Sequence, residues 1–300
     1  MYDSIAKLLT QARERNIPVW QVVLEAEMQV SQLTEAEVMA RMAERFTVMC
    51  RSAEKALCEP QPTLGGLIEG LAQKQNTYAE SGGVAGSFIN KLMARALSAS
   101  EVNASMGKIC AAPTAGACGI VPAVLLTVGE KYDVDEQTLL EALLIASGVG
   151  AVIMMRATVA GAEGGCQAEC GVAAAMSAAA TIYLAGGSNE MIDHAVALTL
   201  MNVLGLVCDP VAGLVQVPCA QRNASQAVNG VISADMALAG MESVIPADEM
   251  IIAMLHVGRA LPTDLRETGK GGTAATPAGR GIYKRLFRGG ESAESKKREG

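Results

Sequence analysis

Apolar residues recur at helical spacing from the start of the chain. Ile5, Leu8 and Leu9 fall on one face, as do Val22, Val23, Ala26 and Val30. Thr34, three residues before Glu37, forms a capping-box pair, which predicts a helix opening there and running toward Cys50 and Ala56. Pro60, Pro62, Gly65 and Gly66 then interrupt the pattern. A further helix is expected over 87–102, with Phe88, Leu92, Met93 and Leu97 facing inward. Periodicity then predicts helices at about 135–156, 165–185, 189–204 and 221–241, and a short apolar one at 248–257. No stretch alternates as a half-buried strand would, and no internal repeat is present. The expected fold class is mostly α, with buried helices rich in small residues joined by Gly/Pro loops.

Two loops stand apart from this pattern. Segment 107–122, GKICAAPTAGACGIVP, places Pro and Gly in a turn whose backbone amides can face a ligand, just before an apolar helix start. Segment 269–279, GKGGTAATPAG, is a second flexible loop lined by polar groups. Read alone, either is a ligand-holding loop or a tight connection between helices.

Composition narrows the picture. Half of the 300 residues are hydrophobic and 18% are charged, enough apolar material for a sizeable core. Aromatics make up only 3%, against 31 glycines and 16 methionines, so the helices are expected to pack backbone near backbone. A net charge of -7 argues against a nucleic-acid partner, because no basic surface is available to displace phosphate counterions. Stretches 139–155, 171–187 and 195–207 are apolar enough to raise the membrane question. They are short or rich in Gly, Ala and Ser, and no Lys/Arg cluster marks one flank, so buried core helices are expected rather than a membrane-embedded chain. The N-terminus lacks a basic region followed by an apolar run, so a cytoplasmic location is expected.

In that compartment eight cysteines favour metal ligation or inert burial over disulfides. Cys50 and Cys58 lie in or after an amphipathic helix and are expected in the core. Cys166 and Cys170 are four apart, on one face of any helix there, beside Gly164 and Gly165. Cys208 and Cys219 lie in irregular stretches bounded by Pro or Gly. There is no paired C-x-x-C, and His194 and His256 sit on apolar helical stretches where a hydrogen-bonded structural role is expected, so structural zinc is poorly supported. A ferredoxin-type run of cysteines is absent too. The spacing alone leaves a metal site open.

Segments 107–122, 161–169 (GAEGGCQAE), 208–219 (CDPVAGLVQVPC) and 269–279 together resemble the catalytic part of bacterial iron–sulfur L-serine dehydratases, over roughly 81–279. The resemblance implies a lyase converting L-serine to pyruvate and ammonia. It also implies a [4Fe–4S] cluster on Cys166, Cys208 and Cys219, and no pyridoxal phosphate. Cys118 and Cys170 match no family ligand. Three thiolates for four irons would leave one iron open as a Lewis acid for hydroxide departure. Residues 61–285 would then be a compact helical catalytic domain, with 1–60 an N-terminal helical segment packed on it and 286–300 a tail expected to be disordered.

The two loops are then expected to hold L-serine. Thr114, Ala115 and Gly116 would present a hydroxyl and backbone amides, and Thr273 a second hydroxyl. Asn103, in a Glu101-Val-Asn103 pattern that also matches the family, is either a substrate contact or a helix-end cap. Tyr78 is a candidate general base as a polar aromatic expected in a loop; the alternative is a surface tyrosine. Single-chain relatives carry an N-terminal Ser-Ser-Ser-His-Thr type motif that has no counterpart here, so the resemblance implies a separate beta chain that carries it. Many of them also end in a cysteine that reaches the cluster. The end of this chain, Lys296-Lys-Arg-Glu-Gly300, has no thiol, so no such ligand is expected. An L-cysteine desulfidase or other β-eliminating lyase on the same scaffold, and an iron–sulfur redox-sensing module, are the competing readings.

Overall fold

The computed structural model describes residues 2–287, so most of the expected C-terminal tail lies outside the described residues. These residues form thirteen α-helices and no strand; the only β-type pairing among them is an isolated bridge between Cys208 and Arg266. The mostly α expectation holds.

Helices α1 (Ile5–Arg15), α2 (Val19–Ser31) and α3 (Glu35–Cys58) open the chain. The capping box forms as its spacing predicts: Thr34 Oγ1 accepts from the Glu37 amide at 3.3 Å, and Glu37 Oε2 accepts from the Thr34 amide at 2.9 Å. Helices α4 (Leu71–Glu80) and α5 (Gly86–Ala104) pack side by side, and α5 lies along α3. Helices α6 (Ile120–Tyr132) and α7 (Glu136–Arg156) follow, the latter capped by Asp135, whose Oδ1 accepts from the Thr138 amide at 2.8 Å.

The centre is α9 (Val172–Leu184), in which every residue except Tyr183 is buried. Its sequence, VAAAMSAAATIYL, is rich in alanine, so the surrounding helices approach it closely. They are α6, α7, α10 (Asn189–Met201) and α11 (Cys219–Leu238). Gly119 lets α6 start directly against α5, since a Cβ there would collide with the Ala96 carbonyl. Ile120, Leu125, Leu144, Ile145, Ile153 and Ile182 are fully buried around this centre, each worth about 1.5–3 kcal/mol of apolar transfer. Helix α12 (Ala247–Ala260) packs on α10, and α13 (Pro277–Phe287) closes the described chain.

By length and composition α7 could cross a membrane, yet most of it is buried inside the protein against α2, α6 and α9, as a core helix would be. Of the two histidines, His194 accepts a hydrogen bond from the Ser243 amide through Nδ1 at 3.2 Å, the structural role expected, whereas His256, expected in the same role, is exposed.

Three expectations are corrected. The helix expected over 165–185 is broken: a single turn, α8 (Gly161–Gly164), stops at Gly165, and a π-turn at Gln167–Gly171 leads into α9. Gly165 adopts φ +75°, which a right-handed helix cannot continue through. Tyr78 lies on α4 instead of a loop, because the run Leu71–Glu80 contains no helix breaker. Cys58 is exposed at the end of α3, while Cys50 is half-buried against the core.

Candidate active site

The break at Gly165 aims the next few residues inward. Buried Gln167 fixes the π-turn in three directions. Its amide donates to the Leu206 carbonyl at 3.1 Å, its Nε2 to the Met254 carbonyl at 3.1 Å, and its Oε1 accepts from the Gly205 amide at 2.8 Å. Cys166, Glu169 and Cys170 are thereby held at the head of α9. Cys208 is set by backbone pairing with the segment before the second loop: its amide donates to the Leu265 carbonyl at 2.9 Å, and its carbonyl accepts from the Glu267 amide at 2.6 Å. Cys219, expected in an irregular stretch, instead opens α11 directly after Pro218.

The three thiols from these separate elements sense one another. Burial, then the charges of Glu169 and Cys166, push the Cys208 thiol far up. Burial, then Cys166 and Glu169, push Cys219 up to about 12. Cys166 runs the other way. A hydrogen bond from Cys170 lowers it against the cost of burial, and Arg222 lowers it further by charge and a hydrogen bond. Cys170, raised in turn, is the neutral donor of that pair. Cys166 is therefore the one thiol of the set whose pKa is lowered, and Arg222 is the cation beside it. Cys118 stands apart: buried and raised to about 12, its thiol contacts the Ala99 carbonyl at 3.7 Å.

Arg222 is itself tethered. It donates to the Val207 carbonyl at 2.7 Å and stands 2.8 Å from Asp209 Oδ1, an ion contact without hydrogen-bond alignment. The other Asp209 oxygen accepts from the Thr273 amide at 2.6 Å. Thr273 is thus brought beside the Cys208 loop by its backbone. Gly272 permits this contact, since a Cβ there would run into the Asp209 carboxylate.

The first loop meets the thiols through Glu169. Thr114 Oγ1 donates to Glu169 Oε1 at 2.9 Å, and Glu169 Oε2 lies 3.8 Å from Cys208 Sγ. Burial raises the Glu169 carboxyl above the ordinary carboxylate range. Gly116 and Gly161 flank it. A Cβ on Gly116 would come within 3.2 Å of Oε1, and one on Gly161 would run into the carboxylate and stand 3.1 Å from Cys208 Sγ. The glycines keep space open beside the carboxylate. Asn103 Nδ2 donates to the Ala115 carbonyl at 3.1 Å, and Asn223 Nδ2 to the Gly116 carbonyl at 2.7 Å. Asn223 Oδ1 accepts from the Gly119 amide at 2.9 Å. Asn103 therefore anchors the loop instead of capping its own helix.

Thr114, Ala115, Gly116, Thr273 and the three cysteines are brought to one region, with Asn103 behind the first loop. Tyr78 is not joined to them by any hydrogen bond among the described residues; it is half-exposed and its ring packs over Gly83. The residues that sequence reasoning passed over are Glu169, Asp209, Arg222 and Asn223. Each is a polar residue within four positions of a candidate cysteine, which was the available signal. Among the described residues, no three His, Cys, Asp or Glu side chains converge as ligands of a single ion would.

The sequence profile described as "Serine dehydratase alpha chain" matches residues 14–274. The chain is 48% identical over 292 residues to the L-serine dehydratase, alpha chain, of Peptoniphilus asaccharolyticus, covering 97% of this chain and 100% of that one. It is 44% identical over 290 residues to a probable L-serine dehydratase, alpha chain, of Bacillus subtilis, covering 96% of each. Similarity to L-serine dehydratase TdcG of Escherichia coli is 42% over 181 residues, 60% of this chain and 40% of that longer protein.

Proposed function

Since this chain belongs to the serine dehydratase alpha-chain family, we propose that it is the catalytic chain of an L-serine dehydratase, a lyase converting L-serine to pyruvate and ammonia. One observation carries the reading into the site. Cys166, Cys208 and Cys219 come from three elements, the first two buried and the third half-buried, yet all lie near enough to Glu169 that its charge opposes the ionisation of each.

That donor set fits a [4Fe–4S] cluster. Burial opposes ionisation of Cys208 and Cys219, so thiolates there are unfavourable until a polycationic centre binds, and a coordinated thiol is deprotonated outright. A cluster also distributes its thiolates over different irons, so convergence on one point is not required. Cys166, Cys208 and Cys219 would hold it. When bound by three thiolates it supplies an open iron, a Lewis acid toward a departing hydroxyl.

The chain's own groups do the rest. Ala115 and Gly116 open a single 3₁₀ turn, so their amides have no partner within it and suit the serine carboxylate. With its proton engaged by Glu169, Thr114 offers a lone pair, which suits the substrate ammonium. Thr273 adds a second hydroxyl from the opposite loop. Asn103 and Asn223 hold the first loop's carbonyls turned away from substrate, and the buried setting limits water. A general base must still take the α-hydrogen. Tyr78 on α4 is poorly placed for this, so a partner chain is the expected source. The "alpha chain" in the names of two relatives supports such a separate beta chain. The same reading puts the enzyme in the cytoplasm.

Anaerobic co-purification with the beta chain tests this. We expect roughly four irons and four sulfides per alpha chain, and pyruvate release from L-serine well above that from L-cysteine. Full-speed turnover of serine by an iron-free complex would sink the cluster reading.

A further inference from the structure

Away from the thiols, a cleft of about 490 Å³ separates the second loop from α13. Lys270 enters it from the loop. Arg280 and Lys284 enter it from α13, four residues apart and so on one face of the helix. No acidic side chain lines the cleft, and none of the three cations has an ion-pair partner among the described residues. In a chain of net charge -7, three exposed cations without a carboxylate partner face one cavity, a surface that favours an anionic ligand.

The setting of α13 points the same way. Gly279 is its only buried residue, and it rests mainly on the turns at Val211–Gly213 and Gly272–Ala275. Apolar burial therefore contributes little to holding it. On the facing wall, Ala212 holds φ +59°, a left-handed conformation rare for a residue with a side chain, and Gly213 and Gly269 hold φ +69° and +64°. The wall is a shaped loop with cations on both of its flanks.

We propose that this cleft binds a small polyanion, a phosphate ester or a di- or tricarboxylate, which bridges Lys270 to Arg280 and Lys284 and clamps α13 onto the glycine-rich loop. A cavity of this size suits a metabolite-sized ligand. Two or more negative charges are needed because the cations come from two elements, and charge-assisted bonds to both are what would fasten the helix. The loop so clamped is the one whose Thr273 amide holds Asp209 beside Cys208.

The test is calorimetric titration of the full-length chain with glycerol 3-phosphate, citrate and inorganic phosphate, at fixed ionic strength with chloride as the monovalent control. One polyanion class should bind at one site per chain, and which one identifies the source. Affinity should fall about tenfold or more in Arg280→Glu and Lys284→Glu, and measurably in the milder Lys284→Gln, but not in Lys74→Glu, which makes the same net-charge change elsewhere. Amide exchange in α13 should slow on binding. The proposal is overturned if none of the three anions binds at millimolar concentration, if the charge-reversed variants bind as the parent does, or if L-serine displaces the anion.

Discussion

Arg222 Nη1 stands 2.8 Å from Asp209 Oδ1, tying the first turn of α11, which begins at Cys219, to the loop that carries Cys208. Both side chains are largely buried, so neither charge is tolerable alone. Removing one partner of such a pair costs about 3–5 kcal/mol, whereas replacing both with apolar residues costs far less. Arg222→Met should therefore lower the urea midpoint strongly, and the double variant Arg222→Met/Asp209→Leu should recover much of the loss. A single variant as stable as the parent would show that the pair does not hold these elements together.

The thiols should separate cleanly by position. Serine at Cys166, Cys208 or Cys219 should remove iron, visible absorbance and turnover together, with the fold retained by circular dichroism. Serine at the exposed Cys58 should leave all three as they were, as should serine at Cys50. Iron content measured on the anaerobic proteins decides between the sets.

Asn223 is buried and makes two contacts that join α11 to the first loop, beside one to the Cys219 carbonyl of its own helix. Asn223→Ala leaves the Gly119 amide and the Gly116 carbonyl without it, at about 1–3 kcal/mol. Because the loop is thereby freed, KM for serine should rise. Asn223→Asp keeps the acceptor but loses both donated bonds, so it should fall between. Steady-state kinetics beside thermal unfolding would show KM unchanged if the loop is held by other means.

Acid stability should carry a signature of Glu130. Burial raises its pKa, but hydrogen bonds from buried Arg95 and from Lys91 outweigh that and leave it below the ordinary carboxylate value. A carboxyl lowered in the folded state contributes stability above its unfolded pKa, near 4.3 for glutamate, and loses it as pH falls through the lowered value. Glu130→Gln should thus be less stable than the parent at neutral pH, with the gap in Tm closing as pH drops below about 4. A gap independent of pH would remove the ionised carboxylate from the account.

The segments that carry the candidate site were legible before folding was considered, and for a local reason, while the choice of three cysteines among eight came from the family resemblance. Cys166, Cys208, Cys219, Thr114 and Thr273 all lie in segments where Gly and Pro interrupt helical periodicity, and such interruptions show in a short window of sequence. Glu169 and Arg222 were overlooked because a charged residue near a helix start is ordinary until its neighbours in space are known. Tyr78 misled for the opposite reason: the polar run Gln75-Asn-Thr-Tyr-Ala79 suggests a loop, yet the helix continues through it to Glu80.

By itself the sequence determined the helical elements, the Thr34–Glu37 cap and the loops that would carry chemistry, because a helix is written in contacts three and four residues apart. Only the tertiary structure decided that Gly165 would split a long apolar run into a π-turn and a buried core helix. It alone set Thr114 against Glu169, 55 residues away, and brought thiols from three separate elements within reach of that same carboxylate. Those pairings depend on how whole helices pack, and no periodicity in the chain records which distant faces will meet.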